Sequence, residues 1–185
     1  MSSLCSTESS QLVIIDIQDR LASAMPKKII ERVISNTNIL LESAQLLDVA
    51  VIRSEQYPKG LGDTRQEIQE QLNDKTVCIE KTCFACTGSA DFTNSLSKQR
   101  RPQIILAGIE THVCVLQTAI ELAEDGFQVY VVEDAVCSRN KHNHKNAVMR
   151  MRDAGVVITN TESVVFEWLR DASHEHFKAI AKLVK

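Results

Sequence analysis

The sequence predicts an α/β protein, a three-layer α/β/α Rossmann-like fold with a central six-stranded, mainly parallel sheet. Three observations carry that prediction. Apolar runs of strand length recur six times along the chain, and unbroken runs of this kind suit strands buried on both faces. Segments with apolar residues at helical spacing fill the intervals between them. Strand and helix alternate without a repeat or a linker, the pattern of parallel strands joined by crossover helices. A chain of 185 residues is long enough for one such domain with its own core.

Taken in order, residues 1–10 (MSSLCSTESS) read as a flexible lead-in, and residues 11–185 as the domain. Gln11–Asp16 is the first strand and ends on a carboxylate. Pro26 then opens a long helix, with Ile29, Ile30, Val33, Ile34, Leu40, Leu41, Ala44 and Leu47 at helical spacing. Val49–Arg53 is the second strand, and 54–63 (SEQYPKGLGD) has the Pro and Gly of a surface loop. A short helix is expected over Thr64–Leu72, a third strand over Thr76–Ile79 and a helix over Asp91–Lys98. Gln103–Ala107 is the fourth strand and breaks at Gly108. The helix Val115–Glu124 follows and stops at Gly126. Gln128–Val132, Asn143–Ala154, Val156–Thr159, Thr161–Leu169 and Ser173–Val184 complete the alternation as strand, helix, strand, helix, helix.

Composition narrows the function classes. Hydrophobic content of 44% and charged content of 24% are ordinary for a globular protein. With 4% aromatic residues, the core should be aliphatic. A net charge of -3 with scattered Lys and Arg gives no argument for nucleic acid. No apolar run approaches the roughly 18 residues of a membrane span. Six cysteines without a secretion signal point to reduced thiols and a cytoplasmic location.

In a parallel sheet the C-terminal ends of the strands share one edge, where ligands of open α/β folds bind. Asp16, Lys81 and the segment Gly108–Cys114 all follow strand ends. Cys114 stands near a helix start, where backbone N–H groups favour a thiolate. A thiol, an acid and an amine form a coherent set. The carboxylate takes the thiol proton and returns it, and the ammonium lowers the thiol pKa and stabilises developing negative charge. Each residue also has an ordinary reading: Cys114 as small core filler, Asp16 as a helix cap, Lys81 as a surface charge.

Four motifs in order give these residues a context. They are Asp16-Ile17-Gln18 after an apolar strand, Lys81-Thr82-Cys83-Phe84, Gly108-Ile109-Glu110-Thr111-His112-Val113-Cys114-Val115, and Asp134-Ala135 with Ser138 following. With them the chain resembles the isochorismatase-like cysteine hydrolases over nearly its whole length. The resemblance implies Cys114 as nucleophile, Asp16 as general base and acid, and Lys81 as electrostatic partner. It also implies a cis peptide at Ile109–Glu110 and an oxyanion hole from the backbone N–H groups of Glu110 and Cys114. The implied reaction is hydrolysis of an amide-like C–N bond of a small molecule, without a cofactor, in a homo-oligomer.

Two departures refine this. Metal-binding nicotinamidases of the superfamily carry an Asp-x-His after the second strand. Here the stretch is Glu55-Gln56-Tyr57, so no metal is expected. True isochorismatases lack the nucleophilic cysteine, and this chain has one.

Gln18, Phe84, Ile109 and His112 are read as substrate-pocket residues, although Gln18 could instead cap the loop after the first strand and His112 could point to solvent. His142 and His144 face apart at i, i+2 and read as exposed. Cys83 and Cys86 form a C-x-x-C, whose redox use is a competing reading; a catalytically idle scaffold is another. A dinucleotide fold is poorly supported, because IDIQDRL stands where G-x-G-x-x-G belongs.

Overall fold

A computed structural model describes residues 4–185. Its centre is a six-stranded sheet in the order β3-β2-β1-β4-β5-β6, parallel throughout. The strands are β1 (Ser10–Ile15), β2 (Ala50–Gln56), β3 (Val77–Lys81), β4 (Gln103–Ile109), β5 (Gln128–Cys137) and β6 (Val157–Thr159). The first strand, β1, lies next to β4 at the centre, where the strand order reverses. In such sheets the crevice forms at that reversal.

Side chains alternate across the pleat, and the two cores follow that alternation. Leu12, Ile14, Ile105, Ala107, Ile109, Tyr130 and Val132 face one side. They pack against α2 (Lys27–Leu46), α8 (Thr161–Leu169) and α9 (Phe177–Leu183). Val13, Ile15, Ile52, Ile79, Ile104, Leu106, Val129 and Val131 face the other. There they meet α5 (Ala90–Gln99), α6 (Leu116–Glu124) and α7 (Lys141–Asp153). Short helices α1 (Asp19–Ser23), α3 (Pro58–Leu61) and α4 (Gln66–Gln69) occupy the rim.

Several boundaries differ from the sequence reading. β2, β3, β4 and β5 run beyond their expected ends, to Gln56, Lys81, Ile109 and Cys137. Lys81 is therefore a strand residue paired with Gln56, and Gly108 lies inside β4 rather than breaking it. Gly108 has a φ of +128°, and a Cβ there would stand 2.0 Å from the Ile15 carbonyl oxygen, so only glycine fits between β4 and β1. Residues 4–10, read from sequence within a flexible lead-in, pack on the domain. Cys5 is fully buried, its N–H donates to Glu167 at 2.8 Å, and Ser10 already belongs to β1. Residues 1–3 lie outside the described residues. Among the described residues no helix is long and apolar enough to cross a membrane.

Candidate active site

The C-terminal edge of the sheet brings together residues far apart in sequence. Asp16 follows β1 directly. Strict alternation would turn it to the α2 side with Leu12 and Ile14. Its φ of +51°, a left-handed conformation that Asp tolerates better than most residues, takes it out of that alternation. The carboxylate meets Ser54 and Lys81, which extend the opposite face defined by Ile52 and Ile79.

Asp16 and Lys81 form a fully buried ion pair. Lys81 Nζ donates to Asp16 Oδ2 at 2.7 Å, and neither side chain is exposed. The same ammonium donates to Gln56 Oε1 at 2.7 Å and to the carbonyls of Cys83 and Phe84 at 3.3 and 3.2 Å. Burial opposes the charge on Lys81. The Asp16 carboxylate, followed by the neighbouring thiols of Cys86 and Cys114, outweighs burial and raises the Lys81 pKa. The other carboxylate oxygen, Oδ1, accepts from the Ser54 hydroxyl at 2.7 Å.

Cys114 completes the cluster. It lies in a π-helical turn, Thr111–Val115, that leads straight into α6. Its thiol is buried, with 5% of the residue exposed, and close enough to Asp16 to feel the charge of its carboxylate. Lys81 lowers this thiol's pKa, as expected, but the net shift in the resting site is upward. Burial, then the Asp16 charge, pushes the thiol well up, and Lys81 offsets only part. The reason is pairing: the ammonium is already neutralised at 2.7 Å by Asp16, so the thiol meets a nearly neutral pair in a dry site. Cys114 therefore rests as a thiol.

The turn before Cys114 is held on three successive residues. The Ile109–Glu110 peptide is cis. The Glu110 carboxylate accepts the Arg139 N–H at 3.0 Å. Thr111 Oγ1 lies 3.0 Å from His144 Nδ1, and His112 Nδ1 lies 2.9 Å from Ser138 Oγ. All three partners belong to the segment that runs from β5 into α7.

The expected pocket residues fare unevenly. Gln18 is fully buried and spends its amide on backbone. Nε2 donates to the carbonyls of Gln56 at 3.0 Å and Gly62 at 2.6 Å, and Oε1 accepts the Gln56 N–H at 2.7 Å. It therefore ties the first loop to the second, as its capping alternative had it. Ile109 is fully buried in the core on the α2 side, the face away from Cys114, because it continues the alternation of Ile105 and Ala107. Phe84 is at the site: its carbonyl receives Lys81, and its side chain is exposed. His112 is partly exposed and bonded to Ser138.

A cleft of about 440 Å³ adjoins the cluster along Lys81 and Thr82, with Tyr57, Lys59, Cys83 and Ser89 in its walls. It borders the lysine and does not include Cys114. Among the described residues, no group of three or more His, Cys, Asp or Glu side chains is gathered to hold a metal ion.

A family model described as the isochorismatase domain matches residues 10–163. The chain belongs to the isochorismatase family. Isochorismatase family protein 1B of Dictyostelium discoideum is 38% identical over 183 residues, covering 96% of this chain and 87% of that protein. The MAR1 ribonuclease structure from Caenorhabditis elegans superposes with a TM-score of 0.92 at 34% identity, covering 98% of this chain and 92% of that one. The YcaC protein of Escherichia coli, an octameric hydrolase of unknown specificity, superposes with a TM-score of 0.89 at 25% identity, covering 99% and 90%. Membership of the isochorismatase family supports a hydrolase-type activity.

Within this isochorismatase-family site the structure adds residues that the sequence reading missed. Ser54 and Gln56 share the face of β2 defined by Ile52, and a period of two from that core residue could have found them. His144, read as exposed, is half-buried against Thr111. It stands three, four and seven residues before Ala147, Val148 and Met151, the buried stripe of α7, and that periodicity was its signal. Asp134 of the fourth motif caps α8 instead, accepting the N–H and hydroxyl of Thr161, each at 2.9 Å.

The buried thiols give a pH prediction. Burial pushes Cys86 up to about 11 and Cys137 up to about 12, and raises Cys5 and Cys114 as well. Groups with a raised folded pKa contribute stability that is intact below the unfolded value and lost as pH rises towards the folded one. Urea unfolding should therefore show stability falling from about pH 8.5 upward, by on the order of 1 kcal/mol per pH unit for each such thiol. A flat profile between about pH 8.5 and 10.5 would show that these thiols are not buried in solution.

Proposed function

We propose that the protein is a cysteine hydrolase that cleaves the C–N bond of a small amide-like metabolite through a thioester on Cys114. One observation carries this reading: the buried Asp16 carboxylate holds the Lys81 ammonium at 2.7 Å and acts by its charge on the buried Cys114 thiol nearby. In this reading a proton passes between thiol and carboxylate, while the lysine keeps the local charge balanced.

Asp16 takes the thiol proton as Sγ attacks the substrate carbonyl carbon. The carbonyl oxygen becomes an oxyanion, received by the backbone N–H groups of Cys114, within the π-helical turn, and of Glu110, just before it. Asp16 then protonates the leaving nitrogen, the C–N bond breaks, and ammonia or an amine departs. Water attacks the thioester, gives its proton to Asp16, and releases the carboxylic acid. The proton returns to Cys114. His112 and Phe84 stand at the approaches to this centre and would contact substrate.

The hydrolase domain in this reading spans 11–185, works in the cytoplasm and uses no cofactor. Octameric YcaC supports a homo-oligomer, and the exposed Tyr57 and Phe84 beside the Lys81 cleft are apolar surface that a second subunit could cover. The ribonuclease name belongs to the nematode neighbour. A net charge of -3 gives no argument that this chain handles a phosphate backbone.

Incubation with a panel of small primary amides and N-carbamoyl compounds tests the reading, with ammonia release and intact mass as readouts. The expected result is an acyl adduct on the peptide containing Cys114, appearing with turnover. Turnover with no Cys114 adduct under acid quench, and unchanged in Cys114→Ala, would overturn it.

A further inference from the structure

We infer that Cys86 is a positioning residue for Asp16, acting through the Ser54 hydroxyl. The inference rests on the cysteine-hydrolase reading and adds to it the device that orients the general base.

A carboxylate that must accept a proton from one direction has to be held against rotation. Lys81 holds Oδ2 and Ser54 holds Oδ1, each at 2.7 Å. The Ser54 bond is the weaker anchor by construction. A serine hydroxyl carries one proton on a freely turning C–O bond and can offer it elsewhere. It stays committed to Asp16 when a donor occupies its own lone pairs. Cys86 supplies that donor: its thiol donates to Ser54 Oγ at 3.6 Å. The chain runs in one direction, thiol to hydroxyl to carboxylate, and each donor has a single proton.

Cys86 is itself fixed. It opens a 3-10 turn, Cys86–Gly88, and is fully buried. Its backbone N–H donates to Thr118 Oγ1 at 2.9 Å. Thr118 stands one helical turn beyond Cys114, on the same side of the helix. Cys86 is thus pinned to the nucleophile's own helix by its backbone, and to the base's hydroxyl partner by its side chain. Burial, reinforced by the Asp16 charge, pushes its thiol up to about 11, which keeps the donor proton in place at neutral pH. The redox reading of Cys83-Phe84-Ala85-Cys86 leaves these contacts without a role. Cys83 is partly exposed, and the Cys86 thiol is engaged with Ser54.

The test is the rate at which iodoacetamide alkylates Cys114, read by peptide mass spectrometry so that Cys86 and Cys114 are counted separately. Cys86→Ala should slow Cys114 alkylation by about three- to tenfold near pH 7.5, a fraction of what a whole general base contributes. Cys86→Ser, which keeps a donor, should recover most of the loss. Cys86→Val fills the same space without a donor and replaces the alanine variant if that one melts early. In a Ser54→Ala background the Cys86→Ala effect should shrink to less than about twofold, because residues that act through one another are not additive. Wild-type rates in Cys86→Ala and Cys86→Val, or the same loss in both backgrounds, would overturn the inference. Cys114→Ala separates the two readings. Full turnover in that variant sinks the cysteine-hydrolase reading itself. Loss of turnover there, with Cys86→Ala at the wild-type alkylation rate, sinks only the role of Cys86.

Discussion

Cys114→Ala should lower turnover by at least about 10⁴-fold while the protein stays folded, as expected when the nucleophile of a covalent mechanism is removed. The fold should survive because the substitution deletes one sulfur from a buried, largely apolar site. It leaves Asp16 with its two strongest partners, Lys81 and Ser54. A stability loss of about 1 kcal/mol is the expected scale for so small a cavity. Initial rates on any amide found by screening, set beside a thermal melt of both proteins, give the comparison. Activity within a hundredfold of wild type in a folded Cys114→Ala protein would mean that water, not sulfur, attacks the substrate. Asp16 would then be the base for a hydrolytic water, and no thioester would form.

Lys81→Met should cost both stability and activity, for one electrostatic reason. The side chains of Lys81 and Asp16 are fully buried. Removing the ammonium leaves a carboxylate in the interior with the Ser54 hydroxyl as its hydrogen-bond donor. Breaking a buried ion pair from one side costs about 3–5 kcal/mol, most of it the stranded charge. Methionine fills much of the lysine's volume, so a packing loss adds little. Asp16→Asn with Lys81→Met should unfold at higher urea than Lys81→Met alone, because the double variant strands no charge. Activity should be undetectable in both. If the single and double variants unfold at the same midpoint, the pair is not the buried, mutually dependent unit described here, and the site is wetter than its geometry implies.

Much of this was legible in the chain because the candidate site residues sit where strands stop. Asp16 and Lys81 could be placed on one edge from the parallel-sheet pattern alone, and Cys114 beside them from the helix that follows the fourth strand. Ile109 was also legible in principle. Extending the period of two from Ile105 and Ala107 puts it in the core behind the sheet, not in the pocket. The same exercise on α7 would have taken His144 off the surface. Gln18 was not decidable that way. Its partners, the backbone of Gln56 and Gly62, lie 38 and 44 residues away, and only the folded loop shows that its amide has nothing left for a substrate.

The sequence by itself determined the order of strands and helices and the edge on which Asp16, Lys81 and Cys114 gather. These follow from local propensity, side-chain periodicity and the parallel-sheet rule, which act along the chain. Tertiary structure decided which groups touch. It joined Asp16 to Ser54 across 38 residues and to Lys81 across 65. It turned Cys86, read from sequence only as half of a C-x-x-C, towards Ser54, and it set the sign of the shift on the Cys114 thiol. That sign depends on a competition between desolvation and two opposite charges held a hydrogen bond apart. Distances and burial fix the winner, and neither is written in the order of residues.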